Sequence, residues 1–224
     1  MPGRLRGVTR PHGGNREKIL DTALRLFNEQ STGPVSTNHI AKEAGVSPGN
    51  LYYHFRNKQE LIRELYSRQV DEFAPLWQEM QSSRQVFVSL VELLYRGFEI
   101  TWRYRFFARE QSSLMQQDPW LKEKLRWVYE TRSVLVPPLM DAARKEGIVD
   151  LPDDDGLIDD INRLIWMVTY YWLSFFDLES DEPPENGFLE GTRLCLRTVE
   201  PYLREDVRRE MFDRLGELSR HRAD

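Results

Sequence analysis

The sequence predicts an all-α protein, with an N-terminal three-helix domain that contains a helix-turn-helix and a larger C-terminal helical domain. Apolar residues recur at three- and four-residue spacing along most of the chain, no alternating run marks a strand, and Gly and Pro fall between helical blocks. A chain of 224 residues with 40% hydrophobic residues can bury a stable core without covalent staples. Its one cysteine, Cys195, excludes an intrachain disulfide framework and fits a reducing cytoplasm. The longest nearly apolar run, 164–176, includes Thr169 and Ser174 and is too short for a membrane span.

The elements follow in order. Residues 1–15 form a leader with Arg4, Arg6 and Arg10 among Pro and Gly, too short and too polar for a secretory signal. It is expected to be flexible, with a basic arm along DNA as the functional alternative. Ile19, Leu20, Ala23, Leu24 and Phe27 stripe one face of a helix over about 16–29. Ser36 caps a second helix carrying Ile40, Ala41 and Ala44, which ends at Gly45, where a residue without Cβ takes the left-handed conformation freely. Ser47 caps a third, with Pro48 in its first turn and Leu51 and Phe55 on its buried side. Gly49, Asn50, Tyr52, Tyr53 and His54 occupy its other side. Small residues at 41, 44 and 45 let the two helices approach closely, as a helix-turn-helix requires. Asn57 and Glu60 start the next helix as a capping box, so the presumptive recognition helix is barely two turns long. The head therefore spans 16–57, and residues 58–224 form the second domain.

Beyond it we expect helices near 58–81, with Pro75 kinking or ending the first, then 85–104, 106–115, and 119–146 interrupted by Pro137 and Pro138. After an acidic loop at 153–156 come 157–178, 187–203 and 205–220. All six tryptophans lie after residue 76. Such rings most often fill core, yet an aromatic bundle is also a good place for a preformed apolar cavity, with Arg103, Arg105, Arg109 or Arg163 available to orient a polar or acidic head group. Charge divides unevenly: residues 1–70 hold 11 Lys and Arg against 6 Asp and Glu, and the remainder 20 against 30, of totals of 31 and 36. The basic end is the motif end, an electrostatic footprint for nucleic acid on an acidic body.

Residues 16 to about 65 resemble the N-terminal domain of the TetR family of bacterial transcription regulators. The matched residues are Ile19-Leu20-x-x-Ala23 with Leu26-Phe27, Ile40-Ala41-x-x-Ala44-Gly45-Val46-Ser47, Leu51-Tyr52-Tyr53-His54-Phe55 and Asn57-Lys58-x-x-Leu61. Asn50 stands where the family more often has a small residue and His39 where an acidic one is common, so base preference is not carried over. The resemblance implies that Thr37 touches a phosphate and Asn38 a base. It also implies that Pro48, Gly49 and Asn50 form the base-reading end, that Tyr53 meets base methyls or sugars, and that Tyr52, His54 and Lys58 contact the backbone. An Asn amide suits adenine, and hydroxyl, imidazole and ammonium suit phosphate oxygens. Tyr52 packing between helices and His54 acting as a helix C-cap stay open as alternatives.

The resemblance further implies a cytoplasmic regulator that binds a palindromic operator on double-stranded DNA as a homodimer and is released by a small apolar or amphipathic ligand, acting more as repressor than activator. Ligand candidates are Trp102, Arg103, Phe107, Trp127, Trp166 and Tyr170. Candidates for the dyad are Ile165, Val168, Trp172 and Phe176 on one helix and Leu189 and Leu196 on the next. A DNA binder without a ligand, or one controlled by another protein, is the competing reading. An enzyme would have to rest on Asp153, Asp154, Asp155, Asp159 and Asp160, but no His, Cys or nucleophile accompanies them, and they suit a helix N-terminus. No metal, cofactor, catalytic residue or membrane partner is expected.

Overall fold

The computed structural model describes residues 14–82, 86–152, 154, 156–179 and 187–220. The basic leader with Arg4, Arg6 and Arg10 lies outside the described residues, as do Asp153 and Asp155 of the acidic loop. The described elements are helical, and the chain divides into two compact units, Met1–Leu65 and Tyr66–Asp224.

The first unit contains α1 (Asn15–Gln30), α2 (Thr37–Glu43), α3 (Pro48–His54) and the first turns of α4 (Lys58–Ser82). Of the expected stripe on α1, Ile19, Leu20, Ala23 and Phe27 are buried, while Leu24 is half-buried and Leu26 takes its place in the core; they pack with α2 and α3, whose Ile40, Ala41 and Leu51 are buried, as are Phe55 and, on α4, Leu61 and Leu65. Each large aliphatic or aromatic side chain sealed here contributes roughly 1.5–3 kcal/mol. The turn between α2 and α3 is set by Gly45 at φ +62°: the Gly45 N–H donates to the Lys42 carbonyl and the Val46 N–H to the Ala41 carbonyl, so the last carbonyls of α2 are satisfied before the chain reverses.

The second unit holds the rest of α4 with α5 (Val86–Arg103), α6 (Arg105–Gln117), α7 (Pro119–Ser133), α8 (Val136–Lys145), α9 (Leu157–Glu179), α10 (Gly187–Val199) and α11 (Glu205–Arg220). Pro75 does not end α4, which continues to Ser82. The break expected at Pro137 and Pro138 falls earlier, at Val134 and Leu135. The two prolines sit in the first turn of α8, where their missing N–H groups have no intrahelical acceptor to lose. Asp118 separates α6 from α7; its carboxylate accepts from the Trp120 N–H at 3.1 Å. α10 lies between α9 and α5, and α11 covers α5 and α10. An isolated antiparallel bridge between Val149 and Leu203 ties the segment after α8 to the turn before α11. Cys195 is buried in α10 beside the hydroxyl of Thr169, and burial pushes its thiol up to about 12, so it stays protonated and unreactive.

The crossing of α10 over α5 is close because Gly191 presents no side chain: a Cβ there would stand 2.7 Å from the ring of Phe98. That ring is fully buried and meets Trp172 edge-on at 5.0 Å, so it has nowhere to retreat. Gly191→Ala gains up to about 1 kcal/mol of helix propensity but loses about 1–3 kcal/mol to overpacking. We expect a net fall in the denaturation midpoint; an unchanged or raised midpoint would mean that Phe98 can move aside.

Candidate nucleic-acid interface and cavity

The head presents α3 on a scaffold of caps. The Ser36 hydroxyl accepts from the His39 N–H and the Ser47 hydroxyl from the Asn50 N–H, each at 3.1 Å, which fixes where α2 and α3 begin. Asn57 accepts from the Glu60 N–H at 2.9 Å, and the Glu60 carboxylate reaches back to the Arg56 N–H, starting α4 three residues after α3 ends. With only seven residues, α3 spans about 10 Å at 1.5 Å per residue. Asn38, Pro48 and Gly49 are exposed, and Tyr53 is the most exposed aromatic of the head at 83%. The Tyr53 ring meets His54 edge-on at 5.0 Å. Tyr52 is half-exposed rather than packed between helices, and its hydroxyl shares a 2.9 Å hydrogen bond with that of Thr37, which ties the start of α2 to the middle of α3.

Two residues differ from their expected roles. Asn50 is only half-exposed, and its amide oxygen is sealed without a hydrogen-bond partner, which leaves the NH2 as the accessible group. The Lys58 ammonium turns inward and donates to the carbonyls of Thr32, Gly33 and Val35 at 2.5, 3.2 and 3.0 Å. An ammonium has three donors, so none remains for a phosphate. The cations left outward are Lys18, Lys42 and Arg56, exposed and without an ion pair among the described residues. Sequence reasoning passed over them because isolated surface cations outside the motif carry no pattern.

In the second unit a cavity of about 160 Å³ opens among α4 to α10. Phe107, Trp166 and Tyr170 of the expected ligand set line it, and Trp166 stacks on Tyr170 with centroids 4.6 Å apart. The other three do not. Arg103 pairs with Glu72, which also accepts from the Tyr104 hydroxyl at 2.6 Å. Trp102 lies under the guanidinium groups of Arg105 and Arg109, at 4.5 and 5.7 Å. Trp127 is 51% exposed with the Lys124 ammonium 4.1 Å over its ring. What the sequence reading missed is the α4 wall, Tyr66, Gln69, Phe73, Trp77 and Met80. Their spacing of three, four, four and three is the signal that could have found them.

The expected dyad residues belong to the domain's own interior. Trp172 and Leu196 are buried, and Ile165, Val168, Phe176 and Leu189 pack partly buried against the same core; Ile165 also lines the cavity. α9 instead exposes Leu164, Met167, Tyr171, Phe175 and Leu178, joined by Leu194 of α10. Among the described residues no group of three or more His, Cys, Asp or Glu side chains converges, and no helix is long and apolar enough to cross a membrane.

A compact head with a capped helix-turn-helix, joined to a larger helical body that encloses an apolar cavity, defines a DNA-binding regulator. Residues 19–65 match the family model of bacterial regulatory proteins, tetR family, and residues 65–211 match the TetR model described as bacterial transcriptional repressor. The chain belongs to the TetR family of transcriptional regulators. It is 40% identical over 67 residues to the HTH-type transcriptional regulator AcrR of Shigella flexneri, covering 30% of this chain and 31% of that protein. The chain thus spans about a third of the length of the curated relatives it matches. A TetR-family regulator from Marinobacter aquaeolei VT8 superposes with a TM-score of 0.71 at 26% identity, covering 90% of this chain and 97% of that one. SmeT, solved as a complex with triclosan, shares the fold at a TM-score of 0.60 and 20% identity, over 86% and 93% of the two chains.

Lys58→Met leaves three loop carbonyls without their donor and should cost about 1–3 kcal/mol of stability, read by denaturant unfolding. The slope of log affinity against log salt on DNA should stay as in wild type. A slope flatter by about one unit would return Lys58 to the phosphate backbone.

Proposed function

We propose that the protein is a homodimeric repressor that covers a palindromic operator and is released when a small molecule enters the cavity of its second unit. The observation that carries this reading is the continuity of α4. Its first residue, Lys58, clamps the loop between α1 and α2 in the head, and later turns of the same helix supply Tyr66, Phe73 and Trp77 to the cavity wall. From Tyr66 and Phe73 back to Lys58 the turns of α4 are hydrogen-bonded one to the next, Pro75 and Trp77 lying beyond that stretch. A ligand that repositions the cavity end of α4 therefore has a stiff path to the reading head. SmeT, of the same fold, takes triclosan, in keeping with a small-molecule effector.

Dimerisation follows from the size of α3 and from the surface of α9. Two turns of helix make few base contacts, and two copies about 34–36 Å apart read successive major grooves. The stripe Leu164, Met167, Tyr171, Phe175 and Leu178 recurs at one face of α9, and large contiguous exposed apolar patches mark interaction sites. The partner in this reading is a second copy, with α9 and α10 of each protomer facing across the dyad. Thr37, Asn38, Pro48, Gly49, the Asn50 amide NH2, Tyr52, Tyr53 and His54 form the DNA-facing surface, with Lys42 and Arg56 as added phosphate contacts.

The primary test is selection of binding sites from random duplex DNA by the full chain. An inverted repeat with half-site centres about one helical turn apart supports the reading; salt-sensitive binding without enrichment sinks it. Tyr53→Ala, at an exposed position, should leave stability within about 0.5 kcal/mol and weaken operator binding by about tenfold, or about 1.4 kcal/mol. Phe175→Asp should convert the dimer to monomer in light scattering and lower operator affinity while helicity is kept. A dimer that persists would move the interface elsewhere.

A further inference from the structure

Arg132 on α7 is the only charged residue lining the cavity among the described residues. Its guanidinium lies 4.8 Å from the centroid of Phe73 and 5.3 Å from that of Trp77. It makes no hydrogen bond or ion pair with any described residue, and no Asp or Glu lines the space around it. This separates it from the arginines that sequence inspection suggested for a ligand head group: Arg103 is paired with Glu72, Arg109 holds Asp177 through two bonds at 2.7 and 2.8 Å, and Arg163 reaches Asp160. Two further lining residues carry sealed polar atoms without a hydrogen-bond partner: the Trp77 indole N–H and the Gln111 amide oxygen.

A guanidinium stays charged at any pH a protein meets, so this part-buried cation sits against aromatic faces without a counter-charge. Burial lowers its affinity for the proton and raises those of the Tyr66 and Tyr170 hydroxyls, so neither phenol offers it a negative charge. A part-buried charge without a counter-ion gains from one, and a carboxylate supplies paired, charge-assisted hydrogen bonds. The faces of Phe73 and Trp77, which would otherwise suit a cationic ligand, are already occupied by Arg132, and a second cation would be repelled. The size of the space sets the rest: about 160 Å³ compares with the roughly 150 Å³ apolar cavity that holds one benzene.

We propose that the cavity takes a small organic monocarboxylate with an apolar body of about one aromatic ring, its carboxylate bound by Arg132 and its body held among the cavity's aromatic and aliphatic side chains. The inference rests on the reading of this cavity as the effector site and adds the charge and size of the effector.

The test uses the full chain, wild type, Arg132→Met and Arg132→Lys, titrated with phenylacetate, the neutral phenylacetamide and the cationic phenethylamine, by calorimetry and thermal shift. In wild type we expect phenylacetate to bind and raise the melting temperature, the amide to bind at least tenfold more weakly, and the amine not to bind. Arg132→Met should abolish the preference for acid over amide, and Arg132→Lys should keep part of it. Without ligand, Arg132→Met should melt close to wild type, since Arg132 has no hydrogen bond or ion pair to a described residue to lose. Equal binding of acid and amide by wild type, or phenylacetate binding unchanged in Arg132→Met, overturns the inference. Binding of the amide or the amine but not the acid overturns it and leaves the cavity as an effector site of other chemistry. Failure of all three to bind wild type removes both readings.

Discussion

Lys58 gives all three of its donors to the carbonyls of Thr32, Gly33 and Val35, and it does so from the first turn of a helix 25 residues long. That one interaction constrains much else. The loop it closes sets where α2 begins, Ser36 then caps α2, and the Thr37 hydroxyl at the first position of α2 holds Tyr52 on α3. A chain of short polar contacts, each modest in net energy, therefore fixes the orientation of a recognition helix too short to be stable alone. The apolar core beneath supplies the stability of the head, and the polar chain supplies its geometry.

The second unit solves a different problem. Its helices bring together more aromatic surface than they can pack flush, and the gap is a cavity whose wall is apolar except for a few groups. Some of these are satisfied internally: Thr101 donates to the Gly97 carbonyl, Thr169 to that of Ile165, and Asn162 to the Ser133 hydroxyl. Others are not, among them the Trp77 indole N–H and the Gln111 amide oxygen, and Arg132 is the charged one; polar groups left unpaired concentrate where function draws on them.

Helix caps and the periodicity of the head were legible because they are local: Ser36, Ser47, Gly45 and the Asn57–Glu60 pair each act within four residues, and each does what its side chain dictates. Lys58 was not legible, because a lysine directly after a cap reads as a surface cation unless the carbonyls of a loop some 25 positions upstream are known to converge on it. The cavity was legible as a composition and not as a place. Trp102 and Trp127 share the chemistry of Trp166, and only packing sends the first two under or beside surface cations and the third inward. Along α4 the three-and-four spacing of Tyr66, Phe73, Trp77 and Met80 did mark a buried face, but periodicity does not say whether a face meets core or empty space.

α9 is where the two proposed activities share one element. A helix apolar on every side is covered on every side, and only the inner part of α9 is covered by its own domain. Inward it carries Ile165, Trp166, Thr169 and Tyr170 to the cavity; outward, one position away from them, it carries Leu164, Met167 and Tyr171. Because adjacent residues on a helix point about 100° apart, a rotation of α9 that lets the Trp166–Tyr170 stack accommodate a ligand must also turn the outer stripe against a second copy. Effector and partner would then be coupled through a single rigid body, and the packing of α10 against the inner side of α9, with Gly191 locked on Phe98, sets how far that body can turn.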